Sequence, residues 1–412
     1  MPKIITDFHI HSKYSHATSK FMDLPALTVW SQLKGIGLMG TGDFTHPVWQ
    51  KELKDQLEQT DGGLWQLRPD LLQKAASQIP MSCRVTQRFM LTSEISTIFK
   101  RNGKCYRVHS ILLAPNFVAV EKITKELAKV GNLVHDGRPI LGLDVKDLLK
   151  IVLDASSDCM LIPAHIWTPW FGLFGSKSGF NSLHDAFGEL RPYIYAIEKG
   201  LSSNFMMNAM VSQLDSVVVL CNSDAHSLQN LGREANLMNI DMSYYSIVSA
   251  LRKDDPCGFR AGIEFFPERG KYFADGHRVC KVCLMPDETK RLNGICPKCG
   301  KLLTIGVLNR VLQLADRSID QAKKFQRACY RIVPLLDILE QKMGLSQTSK
   351  KLIAEYHRLL VEIGPEFYIL LEAPIETIAI VAGRDVALFI DRIRNGNVQV
   401  EPGYDGLYGK IF

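Results

Sequence analysis

"KIITDFHIH" (residues 3–11) and "SVVVLCNSDAH" (residues 216–226) each read as a short apolar strand that ends in metal-ligating side chains. An apolar run of this length, without polar alternation, marks a parallel strand covered on both faces. Four further runs end in the same way. Asp43 follows "GIGLMGTG", Glu94 follows "RFMLTS", His109 closes "KCYRV" and His165 follows "CMLIPA". In a β/α barrel the catalytic groups gather where the strands end. Six places along the chain therefore converge on one rim, and their His, Asp and Glu side chains suit two or three divalent cations.

Spacing sharpens this reading. His9 and His11 stand two apart, so a strand points both imidazoles to one face, and Asp224 and His226 repeat the arrangement. His16 follows in a loop that can close over the same site. Asp43 is the candidate at the second strand end, with His46 as an alternative and helix capping as a competing role. Glu94 can bridge two ions, and a buried carboxylate needs such cationic partners. His109 sits inside "CYRVHSILLAP", where a satisfied core histidine is the rival reading. Clustered cations acidify a water and stabilise an anionic oxygen, which suits phosphate-ester hydrolysis. Asp224, Glu94 and His165 are the expected catalytic residues. Asp224 comes first, because a carboxylate can bind metal and steer the water.

The chain has 412 residues, 46% of them hydrophobic and 22% charged, which is ordinary for a globular protein with a core that needs no staples. A net charge of +6 permits nucleic-acid binding without demanding it. No secretory leader and no apolar run long enough for a membrane span are evident. Four of the ten cysteines form a metal pattern, and the others (Cys83, Cys105, Cys159, Cys221, Cys257, Cys329) form no disulfide framework. A reducing cytoplasm fits this usage.

Strand-like stretches at 3–9, 36–42, 88–98, 105–113, 158–164, 193–198, 216–222 and 259–264 alternate with helix-like ones at 23–34, 46–59, 116–130, 144–154, 182–190, 204–214 and 243–252. This alternation predicts a mainly parallel α/β fold over 1–265, with 88–113 as a hairpin turning at Asn102-Gly103. Residues 266–305 form a connector and cysteine module. Residues 306–412 read as a helical region with helices at 309–342, 347–363, 374–382 and 384–395. Cys280-x2-Cys283 and Cys296-x2-Cys299 predict two knuckles around one structural zinc, with His277 as a spare ligand.

The loop after His165, "IWTPWFGLFGSKSGF", carries Trp167, Trp170, Phe171, Phe174 and Phe180. Aromatic loops beside a metal rim often face substrate, although these rings can equally cap the barrel core. Such rings can stack a planar group of a substrate, with Ser176, Lys177, Ser178 and Gly179 as polar contacts. Lys323, Lys324, Arg327 and Arg331 in "DQAKKFQRACYR" can meet phosphates or simply coat a solvated helix face.

His9, His11, Glu94, His109, His165, Asp224 and His226 together resemble the signature of the PHP (polymerase and histidinol phosphatase) superfamily. That resemblance implies a distorted (β/α)7 TIM-like barrel with up to three metals on one rim, and adds His16 and Asp43 to the ligands. "DFHIHSKYSHATSK" (7–20), "GTGDFTHP" (40–47), "AHIWTPWFGLFGSKSGF" (164–180), "IEKGLSSN" (197–204), "CNSDAHS" (221–227) and "EPGYDGLYGKI" (401–411) are more specifically similar to the endonuclease Q family, over nearly the whole chain. The resemblance implies a DNA repair endonuclease that cuts 5′ of uracil, hypoxanthine, xanthine or an abasic site and leaves a 3′-hydroxyl and a 5′-phosphate. The implied cofactors are two to three Zn, Mn or Mg ions in the barrel and one structural Zn. DNA carrying such lesions is the implied partner; a repair or replication clamp partner is not readable from the sequence. A phosphomonoesterase acting on a small metabolite would share the rim, but would need neither the cysteine module nor the helical region.

Overall fold

The strand leading to His9 and His11 lies between two neighbours that the sequence places far apart. In this computed structural model, which describes residues 3–253, 255 and 258–412 (Cys257 thus falls outside them), β1 (Lys3–Asp7) pairs in parallel with β2 (Leu38–Gly40). β2 pairs in parallel with β3 (Arg88–Arg101), which turns at Asn102-Gly103 into the antiparallel β4 (Lys104–Ala114). Both turn residues have positive φ, 51° and 78°, the conformation a tight hairpin turn requires. β4 runs antiparallel to β5 (Met160–Pro163). The exit of β5 meets β6 (Ala196–Glu198) where Ile166 N donates to Glu198 O at 3.0 Å. β6 pairs in parallel with β7 (Val218–Leu220), and the exit of β7 returns to the exit of β1 through the parallel bridge Ile10–Ala225. These contacts close a distorted ring of strands.

The pairing of β4 with β5 is antiparallel where the alternation predicted a parallel one, because the expected hairpin reverses the chain with no crossover helix. β8 (Ala235–Asn239) lies antiparallel to both β1 and β9 (Phe259–Phe265). The reading of the sequence missed β8, whose "ANLMN" offers too little apolar signal. A small hairpin follows, β10 (Asp275–His277) with β11 (Val282–Leu284).

Helix limits follow local chemistry. Leu24–Lys34 starts where the Asp23 carboxylate accepts from Ala26 N at 3.0 Å, and ends at Gly35, whose φ is 87°. Its buried Leu24, Leu27 and Leu33 each contribute about 1.5–3 kcal/mol of apolar burial. The helix expected at 46–59 stops at Gln56, since Leu57–Gln59 pairs with Trp65–Leu67. The one expected at 204–214 is cut to Phe205–Ala209. The long helix expected at 309–342 is broken into Val307–Leu314, Ile319–Ala322 and Leu335–Met343. Ser318 and Gln321 build a capping box that starts a new helix, Pro334 blocks continuation, and β12 (Cys329–Ile332) between them adds in parallel to β9.

The core runs unbroken from Ile4 in β1 through Leu339, Tyr356 and Phe389 in the C-terminal helices to Ile411. Lys34 reaches across from its helix to Glu366 at 2.8 Å, with both side chains buried. The C-terminal helices thus cover the barrel's flank. No helix among the described residues is long and apolar enough to cross a membrane.

Candidate metal centre

The Glu94 carboxylate lies between two sets of ligands. Its Oε2 is 3.3 Å from His11 Nε2 and 3.5 Å from His9 Nε2. Its Oε1 is 2.8 Å from His109 Nδ1 and 3.1 Å from His165 Nε2. Asp224 Oδ1 joins the first set, 3.1 Å from His11 Nε2 and 3.6 Å from His9 Nε2. Among the described residues the barrel therefore holds two groups that share Glu94: His9, His11, Glu94 and Asp224, and Glu94, His109 and His165. A tetrahedral ion with bonds near 2.0–2.1 Å separates its ligands by about 3.3 Å, the spacing seen here. The Nε2 of His9 is buried with no hydrogen-bond partner, an orphan that an ion in the first group would satisfy.

A ring of further groups aims these nitrogens. Glu198 Oε2 lies 2.9 Å from His9 Nδ1 and accepts from Asn222 Nδ2 at 2.9 Å. Its Oε1 accepts from the backbone N of His165 at 2.9 Å. Asp43 Oδ1 lies 3.2 Å from His11 Nδ1, while its Oδ2 accepts from Ser12 N and Ser12 Oγ at 2.6 Å and from Ser15 Oγ at 2.9 Å. Thr168 Oγ1 sits 3.1 Å from His165 Nδ1. Each such partner occupies one ring nitrogen and leaves the other to face the ion. Asp43, His165 and Asp224 also have φ of 52°, 26° and 47°, left-handed values that cost non-glycine residues about 1–3 kcal/mol each. These strand exits turn His165 toward Glu94, Asp224 toward His11 Nε2 and Asp43 toward His11 Nδ1.

Burial alone would raise Glu94 and Asp224, yet neighbouring imidazoles hold both well below the usual carboxylate range, with Arg138 assisting at Glu94. Burial likewise works against charge on His9 and His11, but the surrounding carboxylates push both well above the ordinary imidazole value. At His109 burial prevails and the value falls to about 4. This is a dense, largely buried charge cluster, the setting in which bound cations stabilise most.

Several expected ligands lie outside these two groups. Asp43 is fully buried with both oxygens committed to His11, Ser12 and Ser15, so it orients His11 and lies outside both ligand groups. His46 caps the helix Pro47–Gln56, accepting from Trp49 N at 3.3 Å through Nδ1 and pairing Nε2 with Val134 O at 3.0 Å. His16 points outward beside His135, with ring centroids 5.1 Å apart. The His226 ring lies 4.3 Å from that of His11, tilted by 45°, beside the first group but not in it. Glu94 and His109 lie within long strands instead of at their ends. The register sets Glu94 opposite Ile111, so His109 is its diagonal neighbour on the same face.

The loop over the mouth is mostly a packed scaffold. Trp167 is 1% exposed and donates to Asn208 Oδ1 at 2.9 Å, and Phe174 and Phe180 are also buried. Trp167 is therefore corrected from a stacking surface to a support. Phe171 lies 4.6 Å from the His109 ring. Ser178 Oγ accepts from Phe171 N at 3.3 Å, Ser176 Oγ donates to Ile305 O at 2.9 Å, and Gly179 N donates to Gly175 O at 2.9 Å. Trp170 and Lys177 are the exposed side chains of the segment.

The cysteine module brings together the second cluster of metal-ligating side chains. The group that forms is His277, Cys280, Cys296 and Cys299; Cys283 is not in it. β10 and β11 explain the exchange, because Cys283 faces Gly276 across the hairpin while Val282 pairs with His277. Alternation then sends Val282 toward Cys296 and Leu303, and Cys283 to the opposite face against the main core. His277 Nδ1 lies 3.4 Å from Cys299 Sγ. Burial works against ionisation of Cys296, but the N–H groups of Lys298 and Cys299 together with His277 bring it down to about 6, which favours a thiolate ligand.

The chain superposes over its full length on the crystal structure of the lesion-specific endonuclease PfuEndoQ from Pyrococcus furiosus, with a TM-score of 0.85, 31% identity and 95% of that chain covered. The chain belongs to the endonuclease Q family. A crystal structure of endonuclease Q in complex with a 27-mer duplex substrate, with an abasic lesion at the active site, matches as well, at a TM-score of 0.84 and 31% identity over 100% of this chain and 96% of that one. Residues 334–397 match the family described as the MJ0043 C-terminal domain. An uncharacterized Methanocaldococcus jannaschii protein, MJ0043, is 29% identical over 69% of this chain, which spans 35% of that protein's length. The uncharacterized YqxK of Bacillus subtilis is 28% identical over the full length of both chains.

Two residues of this endonuclease Q site, Glu198 and Arg138, escaped the reading of the sequence. Glu198 ends the strand-like run 193–198, so the rule that singled out the other ligands also points to it. His277 was weighed and set aside because four cysteines sufficed. Arg138, which approaches Glu94 Oε2 at 3.3 Å, comes from a polar loop with no such signal.

Proposed function

We propose that the protein is a DNA repair endonuclease that hydrolyses the phosphodiester 5′ of a deaminated base (uracil, hypoxanthine or xanthine) or of an abasic site, leaving a 3′-hydroxyl and a 5′-phosphate. The observation that carries this reading is the shared carboxylate, Glu94, with one oxygen toward each ligand group in a chain that matches endonuclease Q end to end.

His9, His11, Glu94 and Asp224 would hold one divalent ion, and Glu94, His109 and His165 a second. Such ions, when bound, supply Lewis acidity and acidify a water near neutral pH. The protein's own contribution is placement. Glu198 and Asp43 fix the ring orientations of His9 and His11, and Thr168 that of His165. Asp224 keeps 28% of its side chain exposed while the Glu94 side chain is fully covered, so Asp224 is the carboxylate that meets the attacking water. Trp170 and Lys177 are the exposed side chains of the loop that follows His165, and would stack an extruded base and hold its strand. His277, Cys280, Cys296 and Cys299 would hold a closed, structural zinc.

The test is a labelled duplex carrying one uracil, inosine or abasic site, incubated with Mg²⁺, Mn²⁺ or Zn²⁺. Nicking on the 5′ side of the lesion with undamaged duplex left intact is expected, and Asp224→Asn should abolish it while retaining duplex binding. Rapid turnover of a generic phosphomonoester with the lesion duplex left whole would overturn the proposal.

A further inference from the structure

The segment His135-Asp136-Gly137-Arg138-Pro139 lies across the mouth of the barrel and is held there from several sides. Gly137 N donates to Tyr14 O at 3.0 Å, and the Asp136 carboxylate accepts from Arg138 N at 3.0 Å and from His16 N at 3.1 Å. A side chain at 137 would run into the Asp43 carboxylate and Ser15 Oγ, so glycine is what lets the segment seat this deeply. Pro139 O then accepts from Ser96 N at 3.0 Å, and Ile140 pairs with Ser96 in parallel. Two residues back along both strands, that register sets Arg138 beside Glu94.

The result is a guanidinium delivered to the centre from a built position. Arg138 Nη1 is 3.3 Å from Glu94 Oε2, and the side chain is 25% exposed, open to the mouth. Among the described residues, its other side-chain nitrogens make no hydrogen bond. Its acidic neighbours are Glu94, Asp224 and Asp136, and the first two belong to the ligand group that an ion would occupy. Once those carboxylates are committed to a cation, a fixed positive fork at the rim is left facing solvent. A guanidinium in that position matches two oxygens of a phosphate.

Resting on the endonuclease reading, we propose that Arg138 binds the scissile phosphate, donating to its non-bridging oxygens beside the ions. It would align the diester for attack and offset charge as that charge builds on the phosphorus-bound oxygens.

The experiment compares the full chain, loaded with Mn²⁺, as wild type, Arg138→Ala and Arg138→Lys. Arg138→Ala should lower kcat on a lesion duplex by about 100- to 1,000-fold with the same Mn²⁺ content per chain, and Arg138→Lys should recover part of the loss. Inorganic phosphate, titrated calorimetrically, should bind Arg138→Ala at least about tenfold more weakly than wild type, the loss of one charge-assisted contact. Near-wild-type turnover and phosphate affinity in Arg138→Ala would overturn the proposal. So would loss of Mn²⁺ in step with activity, which would make Arg138 a brace for Glu94. Should wild type leave the lesion duplex intact, the endonuclease reading fails, while the phosphate titration still decides Arg138.

Discussion

A histidine can offer a cation either ring nitrogen, and the group bonded to the other nitrogen decides which. Glu198 settles this for His9 and at the same time ties down the backbone of His165, so one carboxylate orients a ligand in each group. Glu198→Gln should therefore loosen both ions, lowering metal affinity by about 10- to 100-fold. Competition with a chelator measures this, and excess metal should restore nicking. Unchanged affinity would make Glu198 a simple packing residue. At the same scale, Asp43 bonds His11, Ser12 and Ser15 and His46 bonds Trp49 and Val134, which sets both beside the two groups of ligand atoms.

At the scale of elements, the loop after β5 divides its aromatics between support and contact. Trp167→Ala should cost about 3–5 kcal/mol of stability, because it empties a buried site and strands Asn208. Trp170→Ala should change stability by no more than about 0.5 kcal/mol while weakening lesion-duplex binding. Denaturant melts and binding isotherms on both variants separate the roles, and equal stability losses would contradict the division. The β10–β11 hairpin makes a comparable choice. His277→Ala should release the cysteine-bound zinc, whereas Cys283→Ser should retain it. Metal analysis decides, aided by the thiolate absorption of a cobalt-substituted sample. Zinc lost from Cys283→Ser and kept by His277→Ala would restore the four-cysteine site.

The whole molecule is tied together by burial across parts that look separate in the sequence. Glu366 pairs with Lys34, accepts from Leu335 N at 3.0 Å and takes the Tyr356 hydroxyl at 2.8 Å. Glu366→Ala leaves the Lys34 ammonium buried and unpaired, and should cost about 3–5 kcal/mol. The continuous core implies that the barrel and the C-terminal helices melt together. Calorimetry checks both points, and two resolved transitions in wild type, or a near-neutral Glu366→Ala, would show that the helices stand apart. The three-part division of the chain at 265 and 305 is a proposal about organisation that such a scan also addresses.

Much of the site was legible because its chemistry is local in the sequence. Apolar runs ending in His, Asp or Glu mark strand exits, and H-x-H or D-x-H spacing aims two groups one way without knowledge of any partner strand. The hairpin turn at Asn102-Gly103 was legible for the same reason. What the chain order could not contain is which atom of each group is free to bind. That depended on Glu198 meeting His9 from 189 residues away, on the register that sets Glu94 diagonally from His109, and on a hairpin alternation that turns Cys283 away and His277 inward. Ligand type is a property of a residue. Ligand direction follows from hydrogen bonds and packing between distant segments, and these exist only in the folded chain.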